Sequence, residues 1–356
     1  MISLYKLQQE ALSLLANLIE TPSFSKEENA TARLLEHWFK KKEMVFFTNG
    51  NNVWAKNKIF DSSKPSLLLN SHHDTVKPNS AYTKDPFSAI KEEGKLYGLG
   101  SNDAGGCLVS LLAAFTWFYD QEDLNYNLIF AGTAEEEING NNGIASILPI
   151  LPTFDAAIVG EPTLMQMAIA EKGLVVFDVK VKGTPSHAAH PNLDNAIYKC
   201  ISVLEWFKNF KFKKVSEALG EVKVTVTQIN AGSQHNVVPA SVDLVVDVRV
   251  NDKYTNAEVT EILKQNAPVD EIVPRSLRLN SSSIPKEHPL VLAGIELGMS
   301  TYGSPTLSDQ AMLSCPSLKL GPGDSNRSHS ADEFIFVQEV EEGIATYIAL
   351  LEKVLK

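Results

Sequence analysis

The apolar positions in the first part of the chain recur at helical spacing. An amphipathic N-terminal helix is predicted, because apolar residues return every three or four positions. These residues are Leu4, Leu7, Ala11, Leu14, Leu15 and Leu18. Further on, Ser25 and Glu28 have the spacing of a capping box, which predicts that a second helix begins there. Its apolar face would hold Ala30, Leu34, Leu35 and Trp38.

Short, mainly apolar runs follow, and they are typical of strands buried on both faces. They occupy residues 66–70, 127–132, 156–160 and 317–321. The stretches 104–119, 289–299 and 337–355 have the length and spacing of helices. Apolar strands separated by helices predict an α/β fold with a mostly parallel central sheet flanked by helices.

Between residues 173 and 282 the pattern changes to alternation of apolar and polar residues, which predicts half-exposed strands. Strands are predicted over 175–182, 222–230, 241–250 and 276–280, and helices over 192–208 and 256–266. The order β-α-β-β-α-β is that of a ferredoxin-like unit with one open sheet face. We therefore predict a main domain of residues 1–172 and 283–356, and an inserted ferredoxin-like α+β domain of residues 173–282.

Charge and composition limit the classes of binding partner and the cellular compartment that the sequence predicts. The formal net charge of −11 argues against nucleic acid, which needs a basic surface. The three cysteines are widely spaced and form no C-x-x-C, which fits a reducing compartment. The longest apolar run, residues 107–119, is too short to span a bilayer. We expect a cytoplasmic protein with a small-molecule partner, and neither nucleic acid nor membrane.

Acids and histidines come directly after the predicted central strands. In open α/β sheets, ligands bind outside the carboxyl ends of the strands, so these residues are expected to meet in one cleft. A further acid lies in a glycine-rich turn before the apolar helix. Together these residues are His72, Asp74, Asp103, Glu135, Glu136, Glu137, Glu161 and His329.

Carboxylates packed together repel one another, and a pair of divalent ions would reverse that repulsion. Mixed His, Asp and Glu ligands suit Zn²⁺, with Co²⁺ and Mn²⁺ as alternatives. Two such ions would polarise a scissile carbonyl and activate a water, with a free carboxylate to take the proton. Alone, a His-x-Asp run is a turn and a Glu triplet is a solvated face. Only the coincidence of five such features is specific.

These motifs, in this order, resemble the dimetal amidohydrolase/peptidase family of acetylornithine deacetylase, succinyl-diaminopimelate desuccinylase, aminoacylase and carboxypeptidase G. The matching runs are His72-His73-Asp74, Asp103, Glu136-Glu137, Glu161-Pro162-Thr163 and His329. The resemblance implies that one metal is held by His72, Asp103 and Glu161, and the other by Asp103, Glu137 and His329. It implies that Glu136 is the general base and acid, and that Asp74 orients His72.

The predicted inserted domain matches the same family. The run GTPSHAAHPNLDNAI places His187 as the imidazole that stabilises the tetrahedral oxyanion, reaching in from the partner subunit in dimeric members. The run INAGSQHNVVP, with the DVRV that follows, nominates Asn236 and Arg249 for substrate oxygens. Gly321 and Gly323 are expected to line the pocket with backbone groups. The resemblance thus implies a lid domain that also mediates a homodimer.

Runs such as NSHHDTVKP and SPTLSDQA are most similar to the branch that deacylates N-acetylornithine or N-succinylornithine. The resemblance therefore implies release of ornithine for arginine biosynthesis. One alternative keeps the same ligands but acts as a dimetal aminopeptidase, dipeptidase or other N-acyl-amino-acid deacylase, such as succinyl-diaminopimelate desuccinylase. Another is a metal-free binding protein on a former enzyme fold, and the complete ligand set counts against it.

Overall fold

A computed structural model describes residues 3–356, and the chain divides into two compact units. The first comprises the chain up to Ile169 together with Ser283–Tyr302 and Ser308–Lys356. The second comprises Ala170–Ser282 and Gly303–Leu307. The sequence assigns residues 303–307 to the main domain, but they pack with the second unit. Gly303 lies so close to Ala218 that a Cβ there would meet the Ala218 carbonyl oxygen.

Regular structure covers most of the described chain. The α-helices are α1 (Leu4–Ile19), α2 (Asn29–Lys41), α3 (Gly106–Phe118), α4 (Ile144–Ile147), α5 (Ala196–Asn209), α6 (Asn256–Asn266), α7 (Pro289–Glu296) and α8 (Val337–Leu355). The strands are β1 (Phe47–Asn49), β2 (Asn52–Lys56), β3 (Ser66–His72), β4 (Ile90–Glu92), β5 (Lys95–Tyr97), β6 (Asn127–Thr133), β7 (Ala156–Val159), β8 (Met167–Glu171), β9 (Gly173–Lys182), β10 (Ser186–His187), β11 (Lys223–Ala231), β12 (Val237–Val238), β13 (Ser241–Val250), β14 (Glu271–Pro274), β15 (Ser282–Ser283), β16 (Thr301–Ser304), β17 (Ser317–Lys319) and β18 (Phe334–Phe336).

The central sheet has the strand order β1-β2-β6-β3-β7-β17-β8-β15, with β16 beside β8. The four middle strands β6, β3, β7 and β17 are parallel, whereas β1, β2 and β8 join antiparallel at the flanks. Leu67 and Leu69 of β3 join the core that contains α1, α3 and α8, and Leu68 faces a smaller core with Ile144 and Ile147. Both faces of the sheet are therefore buried, which explains its continuous apolar runs. The predicted α/β fold is confirmed.

The start of α2 differs from the prediction. Ser25 does not cap a helix, because its hydroxyl donates to the Asp74 carboxylate at 2.7 Å. Helix α2 begins at Asn29, and its N-cap residue Glu28 makes no side-chain capping bond. Ala30 is exposed, so the predicted apolar face is also partly wrong. The buried face consists of Thr31, Ala32, Leu35, Trp38 and Phe39.

The second unit contains an antiparallel sheet of order β11-β13-β9-β14. Along the chain its elements run β9-α5-β11-β13-α6-β14, which is the predicted β-α-β-β-α-β order. The apolar face of β9 packs against α5 and α6, through residues such as Val175, Phe177, Cys200, Val203, Val259 and Leu263. The predicted strand over 276–280 is wrong, and β14 is the fourth strand. In that segment the Asn256 amide donates to the carbonyls of Leu277 and Leu279, and the Leu279 carbonyl also accepts from the Leu174 N–H at 2.9 Å.

No helix among residues 3–356 combines the length and the apolar character that crossing a membrane requires.

Candidate metal centre

The parallel strands of the first unit bring several acids and histidines to one edge of the sheet. His72 is the last residue of β3, Glu136 and Glu137 follow β6, and Glu161 follows β7. Since β6, β3 and β7 are neighbours, their carboxyl ends lie side by side. Asp103 enters from the turn before α3. His329 enters from the loop after β17 and belongs to the same unit.

Asp103 lies at the middle of this cluster, and its two carboxylate oxygens face two different histidines. Its Oδ1 is 3.5 Å from His72 Nε2, and its Oδ2 is 3.7 Å from His329 Nε2. On the first side, His72 Nε2 lies 3.9 Å from Glu161 Oε1. On the second side, His329 Nε2 lies 3.0 Å from Glu137 Oε2. The residues thus form two groups that share one carboxylate.

The donor set and its electrostatics suit divalent cations. His72, Asp103 and Glu137 each offer a ligand atom, and these atoms lie within 4.8 Å of one another. Burial, with the charge of Asp103, raises the pKa of Glu161 to about 8. Burial also raises the pKa of Glu136 well above its usual range, and Glu161 adds to this. Carboxylates that resist ionisation together are those a pair of +2 ions would stabilise, so the residues fit two such ions.

Glu136 lies beside the two groups without belonging to either. Its Oε2 is 4.0 Å from His72 Nε2, and only a small fraction of its side chain, 12%, is exposed. A carboxylate in this position is near enough to exchange a proton with a molecule bound at the cluster.

Asp74 lies next to the cluster and binds the backbone of two of its residues. Its fully buried carboxylate accepts hydrogen bonds from the backbone N–H groups of Glu136 at 3.0 Å and Glu137 at 3.2 Å. His72 Nδ1 lies 3.1 Å from the Asp74 carbonyl oxygen and 3.4 Å from Asp74 Oδ1. A proton on Nδ1 facing these acceptors leaves the Nε2 lone pair directed at Asp103, as a metal ligand requires.

Three further buried acids were not identified from the sequence. Glu333 accepts hydrogen bonds from backbone N–H groups of the Asp103 turn. Glu28 accepts from the backbone N–H of Glu135, at the start of the Glu136–Glu137 turn, at 3.2 Å. Asp309 accepts from the Thr133 hydroxyl at 2.7 Å, and burial raises its pKa to about 6. Asp309 belongs to the run SPTLSDQA, in which no site residue is predicted from the sequence.

In the second unit, the structure brings His187 and Asn236 together but not Arg249. His187 pairs with Val237 between β10 and β12, and the Ala188 N–H donates to the Asn236 carbonyl at 2.9 Å. Strand β12, which pairs with His187, is followed closely by the first residue of β13, Ser241. Arg249 lies near the other end of β13, about 25 Å from Ser241 along the strand at ~3.3 Å per residue. Its guanidinium pairs with Asp247 through two bonds of 2.9 and 3.2 Å. The roles predicted for these three residues stay predictions.

Gly321 and Gly323 hold the turn that follows Glu161. The Gly321 carbonyl accepts from the N–H groups of Thr163 and Met165, and the Gly323 carbonyl accepts from Leu164 N–H at 2.7 Å. A Cβ at Gly321 would lie 2.6 Å from the Glu161 carbonyl oxygen. The glycines are thus needed for close packing beside Glu161, and the predicted contact with substrate stays a prediction.

Comparison with known proteins bears on the same residues. The family model described as Peptidase family M20/M25/M40 matches residues 68–353, which is most of the chain and contains every residue of the cluster. The protein belongs to this peptidase family. The family predicted from the sequence motifs is therefore confirmed, and with it a place among metallopeptidases and related hydrolases.

Solved structures share the fold at low sequence identity. A M20 family metallo-carboxypeptidase from Sulfolobus solfataricus is 20% identical, with a TM-score of 0.75 over 97% of this chain and 99% of that one. Aminopeptidase PepT from Bacillus cereus is 14% identical, with a TM-score of 0.77 over 98% of each chain. A dinuclear metal binding M20 peptidase from Bacillus subtilis is 16% identical, with a TM-score of 0.74 over 98% of each. The descriptions of these three proteins do not name an ornithine derivative.

Proposed function

We propose that this member of the M20 family hydrolyses the amide bond of a small peptide or peptide-like substrate with the help of two divalent ions. The observation that carries the proposal is that the two oxygens of Asp103 face two different histidines, and that each histidine lies near a further carboxylate. The likeness to the Bacillus subtilis structure, described as a dinuclear metal binding peptidase, supports it. Zn²⁺ is the expected metal, with Co²⁺ and Mn²⁺ as alternatives.

Each residue of the cluster has a part in this proposal. His72 and Glu161 would hold one ion on the Oδ1 side of Asp103, and Glu137 and His329 the other on the Oδ2 side. When bound, the ions supply Lewis-acid polarisation of the scissile carbonyl and activation of water. Glu136 takes the proton of the attacking water and passes it to the leaving nitrogen. Its raised pKa, caused by burial, suits a group that must both accept and release a proton.

Two candidate functions differ in the class of substrate that the protein would hydrolyse. The solved structures that share the fold include a carboxypeptidase, an aminopeptidase and a further peptidase, which favours a short peptide, although an amidase is also among them. The second candidate, an N-acetyl- or N-succinylornithine deacylase, is carried by the runs NSHHDTVKP and SPTLSDQA. Rates on di- and tripeptides measured beside rates on the two acylornithines decide between them. Higher kcat/KM on an acylornithine would displace the peptidase proposal.

The test of the mechanism is Glu136→Gln, with Glu137→Gln as its matched contrast in the same turn. Glu136→Gln is expected to keep both metal equivalents and to lose about 10²–10⁴-fold in kcat, because it removes only the proton carrier. Glu137→Gln is expected to lose metal as well, because that side chain belongs to a ligand pair. Metal analysis and steady-state rates measure the two effects. Near-normal turnover of Glu136→Gln would exclude its proposed role.

The second unit has a surface that suits a homodimer, which we also propose. Leu193 lies exposed in the segment before α5, Tyr198 and Ile201 lie exposed on α5, and Ile229 lies exposed on the edge strand β11. Edge strands that carry apolar residues favour pairing with another chain. Mixing His187→Ala subunits with Glu136→Gln subunits is expected to restore activity if His187 acts across the dimer. A monomeric active enzyme, or no recovery on mixing, would contradict this.

A further inference from the structure

Glu333 is a buried acid that the proposed mechanism does not use. Its side chain is only 1% exposed, and it lies in the segment that follows His329. Glu333 Oε1 accepts hydrogen bonds from the backbone N–H groups of Asn102 at 2.8 Å and Asp103 at 2.9 Å. Glu333 Oε2 accepts from the Gly100 N–H at 3.1 Å. One carboxylate therefore holds three backbone N–H groups of a single short turn.

This turn determines where the Asp103 carboxylate points. Gly100 has a φ of +76°, a conformation that favours glycine and turns the chain sharply just before Asp103. Backbone N–H groups that converge in this way form a concave site for an anion, and Glu333 fills it. The backbone adds a further link, since the Gly98 N–H donates to the Glu333 carbonyl at 2.9 Å. Glu333 thus joins the segment after His329 to the turn that carries Asp103.

We propose that Glu333 is a positioning residue of the metal centre, which holds the Asp103 turn so that each Asp103 oxygen faces its own ligand pair. The inference rests on the proposed function, because it concerns the geometry of the same two groups. It goes beyond that function, because Glu333 is neither a ligand nor a proton carrier. Without this acceptor, three N–H groups next to Asp103 would lack a partner, and the turn would be free to rotate the carboxylate.

A substitution to glutamine tests the inference while keeping the shape of the side chain. The new NH₂ group must face either the Gly100 N–H or the N–H groups of Asn102 and Asp103, so a donor meets a donor in either orientation. Asp332→Asn is the matched control. That neighbouring acid accepts from Thr83 and Lys84 and has no hydrogen bond to the Asp103 turn.

The measurement is the affinity for Zn²⁺ by competition with a chelator, without substrate, together with the number of ions bound. Glu333→Gln is expected to bind zinc about 10–100-fold more weakly, as for other partners that orient metal ligands. Asp332→Asn is expected to bind it as the unaltered protein does. With zinc saturating, Glu333→Gln is expected to lower kcat more than it changes KM, because the substrate contacts are unchanged.

Each outcome separates this inference from the proposed function. If the unaltered protein binds no zinc, the proposed function fails. If it binds two ions and Glu333→Gln binds them equally tightly, only the role of Glu333 fails. If Glu333→Gln does not fold, amide hydrogen exchange tests the inference on the unaltered protein after its metal has been removed with a chelator. The amides of Gly100, Asn102 and Asp103 are expected to be protected, and exchange at unprotected rates would overturn the inference.

Discussion

Replacing Asp74 with asparagine converts one oxygen of a fully buried carboxylate into an NH₂ group. Oδ1 accepts the Glu136 N–H at 3.0 Å, and Oδ2 accepts both the Glu137 N–H at 3.2 Å and the Ser25 hydroxyl at 2.7 Å. Either orientation of the amide places its NH₂ group against a backbone N–H. The Ser25 hydroxyl can rotate to accept, but a backbone amide cannot.

The size of the effect follows from these contacts. One buried N–H left without its acceptor costs about 1–3 kcal/mol of folding free energy. The preferred orientation keeps the oxygen at Oδ2, which puts the NH₂ group beside His72 Nδ1. That favours the tautomer with its proton on Nε2, the nitrogen that lies 3.5 Å from Asp103. Loss of such an orienting partner lowers metal affinity by about 10–100-fold.

Two measurements on Asp74→Asn test this reasoning. Chemical denaturation of the chelated protein reports the folding free energy, and chelator competition reports zinc affinity. Ser25→Ala is the matched control, because it removes one hydrogen bond from the same carboxylate and leaves His72 untouched. It is expected to cost about 0.5–1.5 kcal/mol and to keep zinc affinity. Undiminished zinc affinity in Asp74→Asn, or an equal loss in Ser25→Ala, would refute the role assigned to Asp74.

Four other outcomes are expected. Chelation should lower the melting temperature in calorimetry and added zinc should restore it, because ions that bind only the folded state stabilise it; equal melting temperatures would contradict this. Glu28→Ala should cost about 1–3 kcal/mol in denaturation, because the Glu135 N–H loses its acceptor. Gly140→Ala should cost about 1–3 kcal/mol, because its Cβ would meet the Glu135 carboxylate. Arg249→Lys should raise KM and spare kcat if Arg249 pairs with a substrate carboxylate; an unchanged KM would exclude that contact.

The parts of the fold that the sequence predicted are those where local pattern and burial agree. Strand β3 is apolar at every core position because Leu67 and Leu69 face one core and Leu68 the other. The capping box failed because the hydroxyl of Ser25 was taken by Asp74, which is far away along the chain. The predicted strand over 276–280 is also wrong, and the Asn256 side chain binds two carbonyls of that segment. Both segments make polar contacts with distant residues, which periodicity does not encode.

At the candidate metal centre, sequence motifs predict the proposed ligands but not the acids that hold the neighbouring backbone. The proposed ligands can be predicted because few residue types bind divalent metals and parallel strands bring their ends to one edge. Glu28 and Glu333 instead accept from backbone N–H groups of the turns beside these residues, and nearly every residue possesses such a group. An acid that holds a turn therefore leaves no spacing pattern of its own. The direction of the carboxylate separates the two kinds, because ligand oxygens face one another and supporting oxygens face the backbone. We therefore expect the geometry of the proposed ligands to depend also on acids that bind only the backbone, and motifs alone do not identify those acids.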